Sequence, residues 1–310
     1  MVFSFFFTEK PENDVQDDNV TYHQRKFNFS GGLMAIITIS RFEGSLGDEI
    51  AKDLANVLGY TLIDKTSIHE MAKHFKGNFD SEVQVIEEEN KPGFFDFLFR
   101  ERSVYGQMIS AMIYDAAARD NVVILGRGGQ FLLQGKCHVI NARIVSHFET
   151  RVSRIMESSG AERVVAEGYL RNSDRKREDF INYLFRQDVA EPGWYDIVID
   201  SDRFPRENIR DFFATELKRL DRQHPLTADD RILYKNQALE KYIEIVLLKH
   251  LTESNYIKVT VPSSGKVVLS GYLSTEAENS AALQLVNTVG GVETVVNNII
   301  VSQYPVRPWY

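Results

Sequence analysis

The chain has 310 residues, a length that suits one large domain or two ordinary ones. Its residues are 43% hydrophobic and 26% charged, with 8 Pro and 19 Gly, which excludes a collagen-like or wholly disordered chain. The 44 acidic residues outnumber the 36 Lys and Arg, giving a net charge of -8. An acidic surface is a poor match for the phosphates of nucleic acid, so we expect no nucleic-acid partner.

The single cysteine, Cys137, cannot form an intrachain disulfide, which favours a reducing compartment. No apolar run approaches the roughly 18 residues of a membrane span. The apolar stretch 2–7 is short, follows no basic residue and precedes several acids, unlike a secretion signal. We therefore predict a cytoplasmic protein with no transmembrane segment, in which residues 1–30 form an arm that docks on the body of the protein or on a partner.

The first part of the chain alternates buried strands with helices. Residues 33–40 form a continuous apolar run typical of a strand covered on both faces. After a glycine-bearing turn at 41–48, apolar residues at helical spacing predict a helix over 49–58. Further strands are predicted at 60–63, 122–125, 142–148 and 196–199, and helices at 66–76, 103–119, 149–158, 162–187 (with a break) and 205–220. This alternation predicts an α/β domain with a parallel sheet flanked by helices.

Two stretches interrupt that alternation. Residues 77–101 are less regular, and their Phe-rich run at 91–99 indicates packing under a loop, with a flexible lobe or an interaction patch as alternatives. The composition changes again at 221–229, which indicates a linker between two domains.

A smaller block with the order αββαβ follows the linker. The predicted elements are a helix at 230–251, strands at 257–261 and 266–273, a helix at 275–288 and a last strand at 293–301. About 70 residues suffice for a small α+β domain. The predicted organisation is therefore an arm over 1–30, an α/β domain over 31–222 and a small domain over 228–303.

The first candidate site is the turn RFEGSLGD at 41–48, between the first strand and the first helix. Such a turn presents backbone N–H groups and the positive end of a helix to an anion. It departs from the standard phosphate-loop pattern, which ends in Gly-Lys-Ser/Thr, because Gly47 stands at the Lys position and Glu49 at the hydroxyl position. The turn is a candidate phosphate cradle, although many α/β proteins carry a glycine there.

The second candidate site is the segment ILGRGGQFLL at 124–133, in which Arg127 follows the end of a strand among three glycines. Ligands of parallel sheets bind beyond the carboxyl ends of the strands. An arginine at that edge suits a bidentate phosphate contact. Pairing of Arg127 with a surface carboxylate is the alternative.

The third candidate site is the segment RNSDRKR at 171–177, which carries a local charge of +3. A charge run is usually a solvated helix face. Phosphoryl transfer, however, needs fixed cations around the transferring group, and arginines of a mobile lid can supply them. We favour the second interpretation slightly.

Taken in order, these segments resemble the cytidylate kinase-like branch of the P-loop nucleoside monophosphate kinases. The motifs are ITIS-R-x-x-GS-x-G-x-x-IA, LIDK, GRG, ET-RV-x-RI, D-x-x-R and YDIVIDS, spread over roughly 34–220. The resemblance implies a P-loop kinase-like parallel sheet, ATP and Mg²⁺ as cofactors, and transfer of a phosphoryl group to a nucleoside monophosphate.

The resemblance also implies roles for individual residues. The nucleotide-binding residues would be Ser40, Arg41, Gly44, Ser45, Gly47, Asp48 and Arg151, the last of these starting the helix that carries the lid. The acceptor-binding residues would be Asp64, Lys65 and Arg127. The catalytic residues of the lid would be Arg171, Arg175 and Arg177, oriented by Asp174. Glu49 or Asp64 would position Mg²⁺ through water. Our hypothesis is that Arg41 supplies the cation missing at Gly47.

The strings GKVVLSGYLST and VGGVETVVNNIIV resemble a BON domain, a module found mostly in bacterial envelope and transport-related proteins. Gly271 would permit a close backbone approach within a strand, and the pair at 290–291 a turn with positive φ. The resemblance implies no catalytic residue in this domain, but a protein or phospholipid partner. The sequence of this block shows no basic stripe that would support binding to a lipid surface.

The sequence therefore predicts a bacterial protein that binds nucleotides and transfers a phosphoryl group from ATP to a CMP-like or related small acceptor. The alternative is a catalytically silent nucleotide sensor whose BON-like domain binds a partner or a lipid. Gly47 at the lysine position favours the alternative, and the arginine-rich lid favours the enzyme. A homo-oligomer is left open.

Overall fold

The computed structural model of the protein describes residues 35–68, 94–252 and 254–302. The elements of the first block are β1 Ile36–Arg41, α1 Gly47–Leu58, β2 Thr61–Ile63, α2 Phe94–Arg119, β3 Val122–Leu125, α3 Gly129–Leu132, β4 Val139–Val145, α4 Phe148–Ser159, α5 Arg163–Phe185, β5 Ile197–Asp200 and α6 Arg206–Gln223. Those of the second are α7 Ala228–His250, β6 Ile257–Ser263, β7 Lys266–Leu273, α8 Glu276–Thr288 and β8 Thr294–Val301. The predicted arm at 1–30 lies outside the described residues.

The first block is built on a five-stranded sheet with the order β2-β3-β1-β4-β5, and every neighbouring pair is parallel. The central strand β1 is apolar because it is covered on both faces: Ile37 and Ile39 pack with α1 and α6, whereas Ile36 packs on the side of α2. The predicted α/β class with a helix-flanked parallel sheet is confirmed. All carboxyl ends lie at one edge, which is where ligands of such sheets bind.

Two predicted elements in this block have bounds in the structure that need a physical explanation. The helix expected at 103–119 begins at Phe94, so the prediction of irregular chain is wrong over 94–101. Tertiary packing stabilises the longer helix, because α2 lies against α7. Strand β4 runs from Val139 to Val145, three residues before the predicted bounds. Val139 and Ile140 pair in register with β1 and are buried there.

Helix α5 is continuous over 23 residues, so the break predicted within 162–187 is wrong. Ion pairs of Asp174 with Arg151 and of Arg177 with Glu43 hold its charged middle from one side. Its apolar positions, among them Ala166 and Leu170 one turn apart, pack toward α4. The arginine-rich segment is therefore presented by a regular helix, with fixed faces.

The second block forms a three-stranded sheet with the order β6-β7-β8, in which β6 and β7 are antiparallel and β7 and β8 are parallel. The small α+β block with αββαβ order is confirmed. Its first helix, α7, packs along α2 of the first block: the rings of Tyr114 and Tyr234 stack at 6.4 Å, and the Tyr234 hydroxyl lies 2.7 Å from Nε2 of His138. The two blocks thus share buried side-chain contacts.

Two glycine predictions for this block can be compared with the structure. Gly271 lies opposite Ile257 in the β6–β7 pair with φ +129°, and the close backbone approach predicted for it is confirmed. At the turn before β8, Gly291 has φ +90°, so the turn with positive φ predicted for the pair at 290–291 is confirmed.

Over the described ranges, the helices are either too short or too polar to cross a membrane.

Candidate functional site

A cleft of about 300 Å³ opens at the carboxyl edge of the parallel sheet, between the turn after β1 and helix α5. Segments that are distant in sequence contribute its cations, which are Arg41, Lys65, Arg127, Arg143, Lys176 and Arg177. The acidic residues of its lining are Glu43, Asp174 and Glu178. The lining is therefore rich in positive charge although the whole chain is acidic, which is an environment suited to phosphate groups.

The turn between β1 and α1 has the backbone expected of an anion cradle. Gly44 and Leu46 both have positive φ, at +73° and +64°, so the chain reverses sharply before the helix begins. The carbonyl oxygens of Glu43 and Gly44 accept hydrogen bonds from Arg151 and Arg154 of α4, at 3.2 and 3.1 Å. Because a trans peptide directs its N–H opposite its carbonyl, the N–H of Gly44 points away from α4. Ser45 is buried, and its hydroxyl donates to the carbonyl of Phe42 within the turn.

Arg41 lies across the position where the usual lysine is missing. A Cβ on Gly47 would lie 2.5 Å from Cβ of Arg41, so the arginine stem fills the space that a side chain at 47 needs. The guanidinium donates two hydrogen bonds to Asp48, at 3.0 and 2.8 Å. Burial raises the pKa of Asp48, but the hydrogen bonds and charge of Arg41 outweigh it, so the pKa lies below its ordinary value. The position of the Arg41 side chain therefore requires a glycine at position 47.

The segment after β3 places Arg127 at the cleft in a left-handed backbone. Three successive residues, Gly126, Arg127 and Gly128, have φ of +74°, +59° and +76°. A run of this kind strains a residue that has a side chain, and such strain concentrates at functional positions. The guanidinium carbon of Arg127 lies 5.1 Å from the ring centroid of Phe180 on α5. The structure thus brings Arg127 to the same cleft as the phosphate turn.

Helix α5 is attached by one ion pair to the turn and by a second to α4. Arg177 pairs with Glu43, whose carboxylate also accepts from the hydroxyl of Ser173 at 3.3 Å. In the second ion pair, the carboxylate of Asp174 accepts a hydrogen bond from Arg151 at 2.7 Å, and both of these side chains are largely buried. Nη1 of Arg177 and Oδ1 of Asp174 are buried without a hydrogen-bond partner among the described residues. Unpaired buried polar atoms of this kind fit a ligand or water that completes them.

Other predicted site residues lie elsewhere. Arg171 and Arg175 are exposed and do not line the cleft; Arg171 rests on the ring of Phe148 at 4.5 Å. Arg151 belongs to α4, so the expectation that it starts the lid-bearing helix is wrong. Its guanidinium instead donates hydrogen bonds to the carbonyl oxygen of Glu43 in the turn and to Asp174 on α5.

The residues predicted near a magnesium ion do not meet at the cleft. Glu49 is exposed on α1, and Asp64 accepts hydrogen bonds from the backbone and the hydroxyl of Ser67, at 2.9 and 3.0 Å. Neither carboxylate lines the cleft, whereas Ser40 and Lys65 do.

In the part of the chain that the structure describes, one group of three potential metal ligands is found, namely His147, Asp200 and Asp202. Asp202 already accepts from Ser146 and Arg154, at 2.7 and 3.1 Å. These hydrogen bonds give the cluster a structural role, because they connect the chain after β5 to the end of β4 and to α4.

Glu43 and Arg143 are among the cleft residues that sequence reasoning missed. Glu43 belongs to the quoted turn motif, but nothing in the sequence indicates that it pairs with Arg177. Arg143 carried a clear signal that was not used: a charged residue in the middle of an otherwise apolar strand, ARIV. In the structure Arg143 is only 6% exposed and lines the cleft.

Solved structures similar to the chain include an uncharacterized protein from Eubacterium ventriosum, with 22% identity, a TM-score of 0.44, and coverage of 59% of this chain and 98% of that one. A gluconokinase from Sinorhizobium meliloti has 16% identity, a TM-score of 0.39, and coverage of 62% and 96%. A shikimate kinase from Bacteroides thetaiotaomicron has 16% identity, a TM-score of 0.36, and coverage of 60% and 98%. No curated protein gives a significant match.

Two family models match, in the order that the sequence motifs predict. Residues 36–203 match the model described as the cytidylate kinase-like family, and residues 237–303 match that of the BON domain. The first match extends from β1 past the end of β5 and contains the whole lining of the cleft. Because it covers more than half of the chain, the chain belongs to the cytidylate kinase-like family, and it carries a BON domain after the kinase-like part.

Proposed function

We propose that the protein binds ATP at the turn after β1 and transfers the γ-phosphoryl group to a nucleoside monophosphate such as CMP, or to a related small acceptor. Membership of a kinase-like family supports nucleotide binding and phosphoryl transfer as the general class of activity. The observation that carries the proposal is the convergence of Arg41, Arg127 and Arg177, from three distant segments, on one cleft beside the phosphate turn.

Each group has a role in this proposal. The N–H groups of the turn and the start of α1 bind phosphate oxygens of the donor. Arg127 holds the acceptor, and Arg177 stabilises charge on the group in transfer, while Asp174 holds Arg151 and so fixes α5 over the turn. Little covalent chemistry is required of the protein, because phosphoryl transfer depends on positioning and charge neutralisation.

The residues present fit a bound polyphosphate, because Nη1 of Arg177 is a buried donor without a hydrogen-bond partner among the described residues. Mg²⁺, when bound with ATP, supplies further neutralisation of the phosphates. We propose that phosphate oxygens and waters provide most of its ligands, since the predicted carboxylates Glu49 and Asp64 do not line the cleft. The chain's own contribution is to exclude water and to orient the phosphates.

A catalytically silent nucleotide sensor is the second candidate function. Two observations favour it: Gly47 replaces the usual lysine, and the charge of Arg41 is already balanced by Asp48. A coupled assay with ATP, Mg²⁺ and each nucleoside monophosphate separates the two candidates. Turnover with a monophosphate supports the kinase; measurable ATP binding with no turnover for any acceptor supports the sensor and rejects the kinase.

We expect Arg41→Ala to weaken ATP binding about 10- to 100-fold, because a charge-assisted hydrogen bond to a phosphate is worth roughly 1.5–3 kcal/mol. Arg206→Ala is the matched control, since Arg206 makes the same two-bond contact to an aspartate, Asp53, outside the cleft. Calorimetric titration with a non-hydrolysable ATP analogue measures both variants. Full affinity in Arg41→Ala would reject the hypothesis that Arg41 replaces the missing lysine.

For the BON domain we propose a binding role, with a protein or a phospholipid as the partner. The domain offers no basic stripe in its sequence, which favours a protein. Co-sedimentation with anionic vesicles tests lipid binding, and retention of the protein in the supernatant would reject a phospholipid partner.

Light scattering of the full chain measures the oligomeric state, for which a homo-oligomer remains a prediction.

A further inference from the structure

Arg143 is a buried cation at the floor of the cleft. It lies on β4 directly beside Ser40 in the β1–β4 register. Its side chain donates to the carbonyl oxygen of Val189 and to the hydroxyl of Tyr195, the latter at 3.1 Å. The ring centroids of Phe42 and Tyr195 lie 4.9 and 5.4 Å from its guanidinium carbon. All of these partners are formally neutral.

The charge of Arg143 has no counter-charge within the described residues, because no carboxylate there lies within 4.0 Å of its nitrogens. Arg151 provides the contrast: it is buried to the same extent, at 5% exposure, and pairs with Asp174 at 2.7 Å. An unpaired buried charge is strongly unfavourable. A protein that keeps such a charge at the wall of a cleft is suited to a ligand that brings the opposite charge.

The neighbours of Arg143 make the floor polar and free of acid. Ser40, Gln130 and Arg143 are each at most 8% exposed, and all three line the cleft. The side-chain amide of Gln130 lies 3.4 Å from the hydroxyl of Tyr195, which connects it to Arg143. These groups supply hydrogen-bond donors and one full positive charge, and no negative charge.

The acidic side chains of the cleft do not offset this floor. Glu43 is paired with Arg177, and Asp174 with Arg151. The remaining acid, Glu178, is exposed.

The position of Arg143 on β4 determines the side from which its side chain enters the cleft. Its neighbours on β4, Ala142 and Ile144, pack on the face of the sheet that carries α1. Side chains alternate along a strand, so Arg143 points to the opposite face. Arg127 follows β3, on the other side of β1, and lines the same cleft. Arg143 therefore enters the cleft from the face opposite α1, and Arg127 enters it from the neighbouring strand.

We infer that Arg143 is a specificity-determining residue that binds an anionic group of the acceptor, a phosphate or a carboxylate, at the floor of the cleft. The inference rests on the proposed function, because only phosphoryl transfer makes the bound anion an acceptor. Its test measures binding and does not require turnover. It restricts the acceptors to anionic molecules and rejects neutral ones such as a nucleoside or a polyol.

The test compares the full-length protein with its Arg143→Met variant, in which a neutral side chain of similar length fills the space. The donor site is first saturated with a non-hydrolysable ATP analogue. CMP, cytidine, inorganic phosphate and malonate are then titrated separately by calorimetry. Phosphate and malonate distinguish the two anion chemistries, and cytidine is the neutral partner of CMP. Arg206→Met is the control for the loss of an arginine outside the cleft.

We expect CMP and at least one of the two free anions to bind the native protein and the Arg206→Met control. We expect binding to be at least 10-fold weaker in Arg143→Met, with affinity for the ATP analogue within about twofold of native. The melting temperature of Arg143→Met without ligand should equal or exceed the native value, because the uncompensated charge is gone.

Two results would overturn the inference. One is equal anion affinity in the native protein and Arg143→Met, with a lower melting temperature in the variant, which would make Arg143 a structural residue. The other is the absence of any anion binding to the native protein when the ATP analogue does bind. Failure of the proposed function looks different: anions bind through Arg143, but no acceptor is phosphorylated.

Discussion

Replacing Asp174 with Ala is expected to destabilise the folded protein by about 3–5 kcal/mol, because it leaves the guanidinium of Arg151 buried without its carboxylate. The side chains of Arg151 and Asp174 are only 6% and 15% exposed, so solvent cannot replace the lost partner. Arg151 also holds the carbonyl of Glu43 in the phosphate turn. The variant should therefore lose the fixed position of α5 over the turn, and with it most nucleotide affinity.

Chemical denaturation of Asp174→Ala beside Glu167→Ala measures this effect. Glu167 lies on the same helix and pairs with Arg163, but that pair is exposed, and surface pairs contribute about 0–1 kcal/mol. The double variant Arg151→Met/Asp174→Ala should recover part of the stability, since no charge remains buried, while nucleotide binding stays low. Equal stability of Asp174→Ala and Glu167→Ala would contradict the buried-pair explanation.

Gly271→Ala is expected to destabilise the BON domain by about 2–5 kcal/mol. An added Cβ would lie 1.9 Å from the carbonyl oxygen of Tyr256, an overlap that requires the β6–β7 pair to move apart. The residue also has φ +129°, which side chains rarely adopt. The left-handed conformation costs roughly 1–2 kcal/mol and overpacking commonly another 1–3 kcal/mol.

Gly160→Ala is the control for this prediction, because Gly160 has φ +69° but nothing within 4 Å of the added Cβ. It isolates the conformational cost and should lower stability by only about 1–2 kcal/mol. Thermal unfolding followed by circular dichroism measures both variants. If Gly271→Ala melted no lower than Gly160→Ala, the close approach to β6 would be wrong.

The sequence predicts the bounds of an element closely where the pattern of neighbouring residues alone indicates which residues are buried. Strand β3 and strand β7 have the predicted bounds, because each is an apolar run or alternation closed by turns. The start of α2 was misplaced; in the structure this helix packs against α7, which lies more than 100 residues away. Local patterns carry no information on such contacts.

The arginine-rich segment shows the same division for the candidate site. Its composition indicates a cationic helix, and the helical period places residues 171 and 175 on one face and residues 174 and 177 on another. Only the packing of α5 on the phosphate turn decides that the second face meets the cleft. The order of the motifs was likewise sufficient to indicate the family, because each motif is contiguous.

By itself, the sequence determined the alternation of strands and helices, the two families and the chemistry available at each motif, since all of these reside in short contiguous stretches. The tertiary structure decided which charges are compensated. Arg41 meets Asp48 and Arg151 meets Asp174, whereas Arg143 meets only neutral groups in the part of the chain that the structure describes. The physical reason is that the electrostatic environment of a side chain depends on distances in space and on burial, which residues far apart in the chain establish together.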